Sequence, residues 1–325
     1  MKIVGHLHRL VHWVKRTDPR WVRTYLSVCG FEIPFGKVQN ISSVLNGLFD
    51  IRKCLPAKGK LRKLQKANTI LLDIFDVICR TNGLLYYLDD GTLLGAVRHS
   101  GFIPWDDDID VSIPIEQYDK LVEVLQTTLK GTGLLLYGVD RVRLGTNTLR
   151  ITLDGFESVN LDIFYSYCFN RPLSDRKRIE ALWREERWRY HINFWEIEKK
   201  CTKENLRRFR DDIDGHFTSA VGNGVGFLSE EARILCMPVY YQKPHVVEMS
   251  DVLPLGEMEF EGKRYPVPAK SEKYLTEIFG DIYSFPPTLS LHGDAFLGFD
   301  DAAIDAATKR LEEIYGRLAK EFADS

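Results

Sequence analysis

No stretch of the chain approaches the ~18 uninterrupted apolar residues that a membrane-spanning helix needs. Cysteine is sparse. Cys29, Cys54, Cys79, Cys168, Cys201 and Cys236 are scattered, with no CxxC pair and no Cys/His spacing of a zinc site. A secreted disulfide scaffold is therefore not expected, and reduced thiols in a cytoplasmic setting are. His6, His8, Arg9 and His12 interrupt any signal-peptide core after Met1-Lys2. No internal repeat and no low-complexity tract is present. Neither sign of charge dominates the whole, since the net charge is only −2.

What is there is a soluble globular composition of 325 residues, 44% hydrophobic and 28% charged, enough for one large domain or two ordinary ones. The small net charge hides an asymmetry. Residues 1–66 carry 14 Lys and Arg against Asp18, Glu32 and Asp50, so the remainder is acidic. A basic end should face something anionic, and an acidic body suits a cation or a cationic substrate better than nucleic acid.

Three regions follow. Residues 1–60 form a basic extension in which Ile3, Leu7, Leu10 and Val14 fall at helical spacing, and Pro19 should stop that helix. Arg52, Lys53, Lys58, Lys60, Arg62, Lys63 and Lys66 add a second basic cluster. Such a segment can lie on an anionic membrane surface; the plainer reading is a helix packed on the body with a solvated basic face.

Residues 61–300 read as the catalytic body. Leu64, Leu71, Phe75 and Ile78 mark a helix ending before Gly83. Strands are expected at Leu84 to Leu88, Asp108 to Ile113, Leu149 to Leu153 and Val159 to Tyr165, with a helix from Ile115 to Leu129. The stretch 174–214 reads as helical, opened by Ser174 as cap, with Trp183, Trp188 and Trp195 as packing residues. Residues 301–325 carry Ile304, Ala307, Leu311, Ile314 and Leu318, a helical stripe expected to dock on the body. The class is α+β, a mixed sheet flanked by helices, with helical additions at both ends.

Chemistry concentrates in one stretch. In Asp108-Ile109-Asp110-Val111, strand alternation turns both carboxylates to one side and Ile109 and Val111 into the core. Carboxylates held side by side repel unless a cation lies between them, and hard oxygen ligands suit Mg²⁺ or Mn²⁺. Asp106 continues the alternation, as a further ligand or as a group that supports the ligands. Asp107 fits the ordinary reading of a solvated acidic residue. Asp162, flanked by Leu161 and Ile163 on an apparent core strand, is costly there unless paired. Carboxylates from neighbouring strands, with the turn Gly91-Thr92 free to approach phosphate oxygens, make a phosphoryl-transfer site. Arg98, His99 and Arg150 are candidates for the donor phosphates, with ordinary ion pairing as the alternative for each Arg. Trp105 reads first as packing against the site, with a cation–π contact to a cationic group as the alternative; Tyr86, Tyr87 and Tyr165 are aromatic candidates for the same contact, and His292 is a weaker candidate for the site.

The stretch DGTLLGAVRHSGFIPWDDDID resembles the signature of the LicD family, which also contains the fukutin-related proteins. Leu253-Pro254-Leu255, Phe260-Glu261-Gly262, Val267-Pro268, Tyr274-Leu275 and Phe279-Gly280-Asp281 resemble its C-terminal part, so the likeness runs over roughly 62–292. The resemblance implies a nucleotidyltransferase-type fold. It implies transfer of a phospho-alcohol, phosphocholine foremost and ribitol phosphate as the variant, from a CDP-activated donor to a cell-surface glycan such as lipopolysaccharide, capsule or teichoic acid, with release of CMP. It places the family's Gly-Ser turn on Gly91-Thr92 and its three acidic residues on Asp108, Asp110 and Asp162. Two other readings use the same residues: a nucleotidyltransferase that consumes NTP and releases pyrophosphate, and a non-enzymatic glycan-assembly protein that keeps only the fold. The expected partners are a CDP-linked alcohol and a glycan or lipid-linked acceptor, with residues 1–60 touching an anionic membrane at its inner face.

Overall fold

The computed structural model of the chain describes residues 11–18, 21–28, 31–34, 46–47, 49–138, 148–185, 215–237, 244–285 and 300–323. Near the N-terminus the backbone forms an antiparallel meander, β1 (Val11–Asp18), β2 (Trp21–Val28) and β3 (Phe31–Pro34), in order β1-β2-β3. This corrects the expected helix at Val14 and beyond, while Ile3, Leu7 and Leu10 lie outside the described residues. The run is rich in β-branched and aromatic residues, and β1 and β2 pair from Val11 with Val28 to Asp18 with Trp21.

The body opens with α1 (Gly59–Thr81), whose Leu64, Leu71, Leu72, Phe75 and Ile78 are buried. It stops at Asn82, followed by Gly83 at φ 59, the left-handed geometry that glycine adopts at little cost. Next come β4 (Tyr87–Leu88), α2 (Asp90–His99), β5 (Ile109–Pro114) and α3 (Tyr118–Thr128). The strand expected from Leu84 is shorter because its first amides are used elsewhere. Leu84 N donates to Cys79 O and Leu85 N donates to the Gln117 side chain.

The hairpin β6 (Leu134–Tyr137), β7 (Thr148–Leu153) and the 14-residue β8 (Phe156–Phe169) follow, then β9 (Gly224–Val225), β10 (Ile234–Met237) and β11 (His245–Glu248). The central sheet runs β11-β10-β8-β5-β4, with β7 and β9 also on β8. Among the described residues β5 and β8 pair in parallel and the other pairings of this sheet are antiparallel, so the sheet is mixed as expected. Ser174 lies within a 3-10 turn (Leu173–Asp175), and helix runs over 176–185, so Ser174 is not the helix cap. Trp183 is buried edge-on against Phe217, in the packing role expected, while Trp188, Trp195 and His292 lie outside the described residues.

The C-terminal part contains α4 (Met249–Val252), the hairpin β12 (Gly256–Phe260) and β13 (Lys263–Val267), α5 (Ser271–Phe279) and α6 (Asp301–Ala323). In α6, Ile304, Ala307, Leu311, Ile314 and Leu318 are all buried, as their spacing predicted. The helix lies along α1, where Lys63 meets Asp301 and Asp305. Arg62 forks onto Glu261 and Arg52 pairs with Asp50. Of the second basic cluster, Arg62 and Lys63 thus meet carboxylates of the C-terminal part, and Arg52 meets one two residues before it. No helix among the described residues is long and apolar enough to cross a membrane.

Candidate functional site

The acidic residues collect where β5 and β8 run side by side. Because the pairing is parallel and in register, Asp110 on β5 lies opposite Asp162 on β8, and across the other edge of β8 Arg150 on β7 lies opposite Asp162. Opposed residues of neighbouring strands share a face, so these side chains project together. Asp108 stands one residue before β5 rather than on it. The preceding loop has no ladder partner and is held from α1 instead. Gln65 Nε2 donates to Asp106 O at 2.8 Å, and Asn68 Nδ2 donates to Asp107 O at 2.6 Å. Asn68 Oδ1 also accepts from Asn160 N at 3.0 Å, which ties the loop to β8.

One carboxylate oxygen from each of Asp108, Asp110 and Asp162 lies within 4.8 Å of the others, and Asp106, Asp107 and Asp108 meet the same measure. Asp107 is buried, which corrects its reading as a solvated residue. Burial, and then repulsion among neighbouring carboxylates, pushes Asp90, Asp106 and Asp110 well above the usual carboxylate range. A divalent cation relieves both causes, and the donor set is all oxygen, so the residues present fit Mg²⁺ or Mn²⁺. Arg150 grips Asp162 with Nε and Nη2 on its two oxygens. That is the ion-pair alternative for Arg150, and a carboxylate gripped this way keeps lone pairs for a further ligand.

Gly91 and Thr92 open α2 directly against these groups. Gly91 N donates to Asp110 Oδ2 at 3.2 Å, and Asp110 N donates to Thr92 Oγ1 at 2.8 Å. A Cβ at Gly91 would stand 2.8 Å from Asp106 Oδ2, so any other residue here would displace that carboxylate. Asp90, at φ 39, is a non-glycine residue in the left-handed region beside the acidic groups, a local strain typical of functional sites.

Several expected contacts go elsewhere. Arg98 meets neither expectation: its Nε donates to Ile282 O and its Nη2 to Ser284 O at 3.5 Å. It is a buried clamp on the turn after α5, and burial pulls its pKa down to about 10. His99 is half-buried, with Nε2 lacking a hydrogen-bond partner among the described residues, and burial together with Arg98 pushes its pKa down to about 4. A neutral imidazole brings no charge to a phosphate. Trp105 stacks on Phe285 with ring centroids 6.2 Å apart. Tyr86, Tyr87 and Tyr165 are 2%, 0% and 3% exposed and sit among core rings, so none of them lines a donor pocket.

Sequence reasoning missed Asp89, Asp90, Gln65, Asn68 and Tyr274. A signal existed for two of them: Gln65 and Asn68 interrupt the apolar stripe of α1, and a buried amide needs partners. Nothing in the local pattern sets Asp89 and Asp90 apart from ordinary acidic residues beside a turn.

Residues 83–194 match the family model described as LicD/FKTN/FKRP, nucleotidyltransferase domain. The chain is 47% identical over 67 residues to the lipopolysaccharide cholinephosphotransferase LicD of Haemophilus influenzae, covering 21% of this chain and 25% of that one. It is 53% identical over 34 residues to the ribitol 5-phosphate transferase FKRP of mouse and of human, covering 10% of this chain and 7% of theirs. The aligned segment thus spans a quarter or less of these relatives. Over residues 83–194, which hold the acidic strand pair described above, the chain is similar to the LicD nucleotidyltransferase domain.

Proposed function

We propose that the protein is a metal-dependent phosphotransferase that moves a phospho-alcohol, phosphocholine first among the candidates, from a CDP-activated donor to a glycan of the cell surface. The observation that carries the reading is the convergence within 4.8 Å of Asp108, just before β5, Asp110 on β5 and Asp162 on the parallel strand β8, inside a LicD-type domain. The names of the relatives, a lipopolysaccharide cholinephosphotransferase and a ribitol 5-phosphate transferase, support the reaction class.

In this reading an acceptor hydroxyl oxygen attacks the phosphorus distal to the nucleoside. Its new P–O bond forms as the bond to the CMP oxygen breaks, and CMP leaves. A divalent cation bound by Asp108, Asp110 and Asp162, with Asp106 beside them, would neutralise the donor pyrophosphate and the charge developing on the leaving oxygen. Asp162 would hold the cation nearest the incoming hydroxyl or accept the hydroxyl's proton. Arg150 fixes the orientation of Asp162 and adds a positive edge for phosphate oxygens. Trp105, next to Asp106 in the chain, is the candidate contact for the donor's organic group. Residues 1–60 would bring the protein to an anionic membrane surface at the inner face of the plasma membrane, where lipid-linked acceptors reside.

The test is donor turnover by the full chain with Mg²⁺ and CDP-choline, CDP-ribitol, CDP-glycerol or CTP, with Asp110→Ala as control. CMP from one CDP-alcohol, lost in the variant, is the expected result. Pyrophosphate from CTP would replace the reading with an NTP-consuming nucleotidyltransferase. No turnover of any donor, together with no Mg²⁺-dependent nucleotide binding, would replace it with a non-enzymatic assembly role.

A further inference from the structure

Asp89 has no solvent exposure and lies outside the converging groups of carboxylates. A carboxylate buried this completely is tolerated only when donors surround it. Here the donors come from separate elements. Asp90 N at the start of α2 donates to its Oδ1 at 2.8 Å, Ser112 Oγ on β5 donates to Oδ2 at 2.5 Å, and Tyr274 Oη on α5 donates to Oδ1 at 2.9 Å. Ser112 stands two residues beyond Asp110 on β5 and so shares its face. The backbone repeats the link, since Asp89 N donates to Asp110 O at 3.1 Å. The peptide joined to Asp89 is the strained one: Asp90 holds φ 39, and the next amide, that of Gly91, donates to Asp110 Oδ2.

We infer that Asp89, held by Ser112 and Tyr274, is the positioning residue that sets the Asp90-Gly91 backbone against Asp110 and so fixes the acidic site. Tyr274 lies outside the matched residues 83–194, so α5 takes part in assembling a site whose ligands all lie within them. The inference rests on the reading of that site as a cation-dependent phosphoryl-transfer centre.

The experiment compares the full chain with its Tyr274→Phe, Ser112→Ala, Ser112→Thr and Asp89→Asn variants. It measures Mn²⁺ affinity by electron paramagnetic resonance, kcat and KM for the CDP-alcohol that the wild type consumes, and thermal melting. Tyr274→Phe and Ser112→Ala are expected to melt cooperatively, to bind Mn²⁺ about tenfold more weakly and to lose about tenfold in kcat, the size of effect typical of groups that orient metal ligands. Donor KM should stay within about threefold, because a positioning defect acts on the reacting geometry more than on ground-state binding. Asp89→Asn should lose more, and Ser112→Thr, which returns the hydroxyl, should recover most of the wild-type value. Folded Tyr274→Phe and Ser112→Ala proteins with wild-type Mn²⁺ affinity and kcat would overturn the inference. So would a Tyr274→Phe protein that does not fold, because the network would then serve the fold alone. A wild type that neither binds Mn²⁺ nor turns over a donor would instead remove the reading of the site, and the inference with it.

Discussion

Replacing Gly91 by Ala separates function from stability. The position is helical, so Ala should favour α2 by up to about 1 kcal/mol, since glycine has the larger chain entropy to lose. The new methyl, however, would lie 2.8 Å from Asp106 Oδ2 and 3.2 Å from Asp110 Oδ2. Ordinary contact begins near 3.4 Å, so the Asp106 carboxylate must retreat by roughly half an ångström. Both obstructing atoms are ends of side chains, and the backbone has no need to move. Misplacement on the scale of 1 Å can cost on the order of 10²-fold in rate, so a tenfold to hundredfold loss of turnover is expected. Melting and donor turnover on the same preparation check this. A Gly91→Ala protein that melts at or above the wild-type temperature and has lost activity fits the geometry. Full activity would refute the claim that the close approach of α2 to the carboxylates matters, and a large drop in melting temperature would refute the claim that the clash is confined to side chains.

Three other perturbations have defined outcomes. Asp110→Asn should raise the melting temperature of metal-free protein at pH 7 while abolishing turnover. The Asp110 carboxyl, raised by burial and neighbouring carboxylates, binds its proton more tightly folded than unfolded, so its charge destabilises the fold as pH climbs above the usual carboxylate value; the advantage of the variant over wild type should shrink as pH falls towards ~4. Arg98→Met should cost about 1–3 kcal/mol in urea titrations, because the buried carbonyls of the turn after α5 lose their donor; an unchanged midpoint would show the clamp to be idle. Leu311→Ala should cost about 2–5 kcal/mol in the same assay, as its fully buried side chain fills the seam between α6 and α1, and a loss below ~1 kcal/mol would mean that the two helices do not pack as described.

The body was legible where one periodicity dominated. The stripes of α1 and α6 and the apolar runs of β5, β7 and β8 admit few other foldings. Legibility failed where two patterns competed. Leu7, Leu10 and Val14 fit a helix, yet Val11, Trp13 and the aromatic-rich run after Pro19 favour strands, and the chain pairs as strands over 11–28. Asp110 and Asp162 stood out because acidic residues on core strands are expensive without a purpose. Asp108 stood out by continuing the alternation, although it lies on the loop before β5. Arg98 misled because an arginine in an acidic motif suggests charge pairing, whereas its partners are carbonyls 184 and 186 residues away. No local pattern encodes a contact of that span. The same holds for Tyr274, which reaches Asp89 across 185 residues.

Glu261, at the tip of the β12–β13 hairpin, receives the Arg62 fork, accepts from Phe102 N at 3.3 Å and donates its own amide to Ser100 O at 2.9 Å. It thus buttresses the turn between α2 and the acidic loop from one side, while Gln65 and Asn68 buttress the loop itself from α1. Arg62, Gln65, Asn68 and Glu261 all lie outside residues 83–194. The stretch 83–194 therefore draws part of the support for its acidic loop from residues on either side of it. Excised as an independent fragment, it would keep every acidic ligand and lose the scaffolding that brings them together.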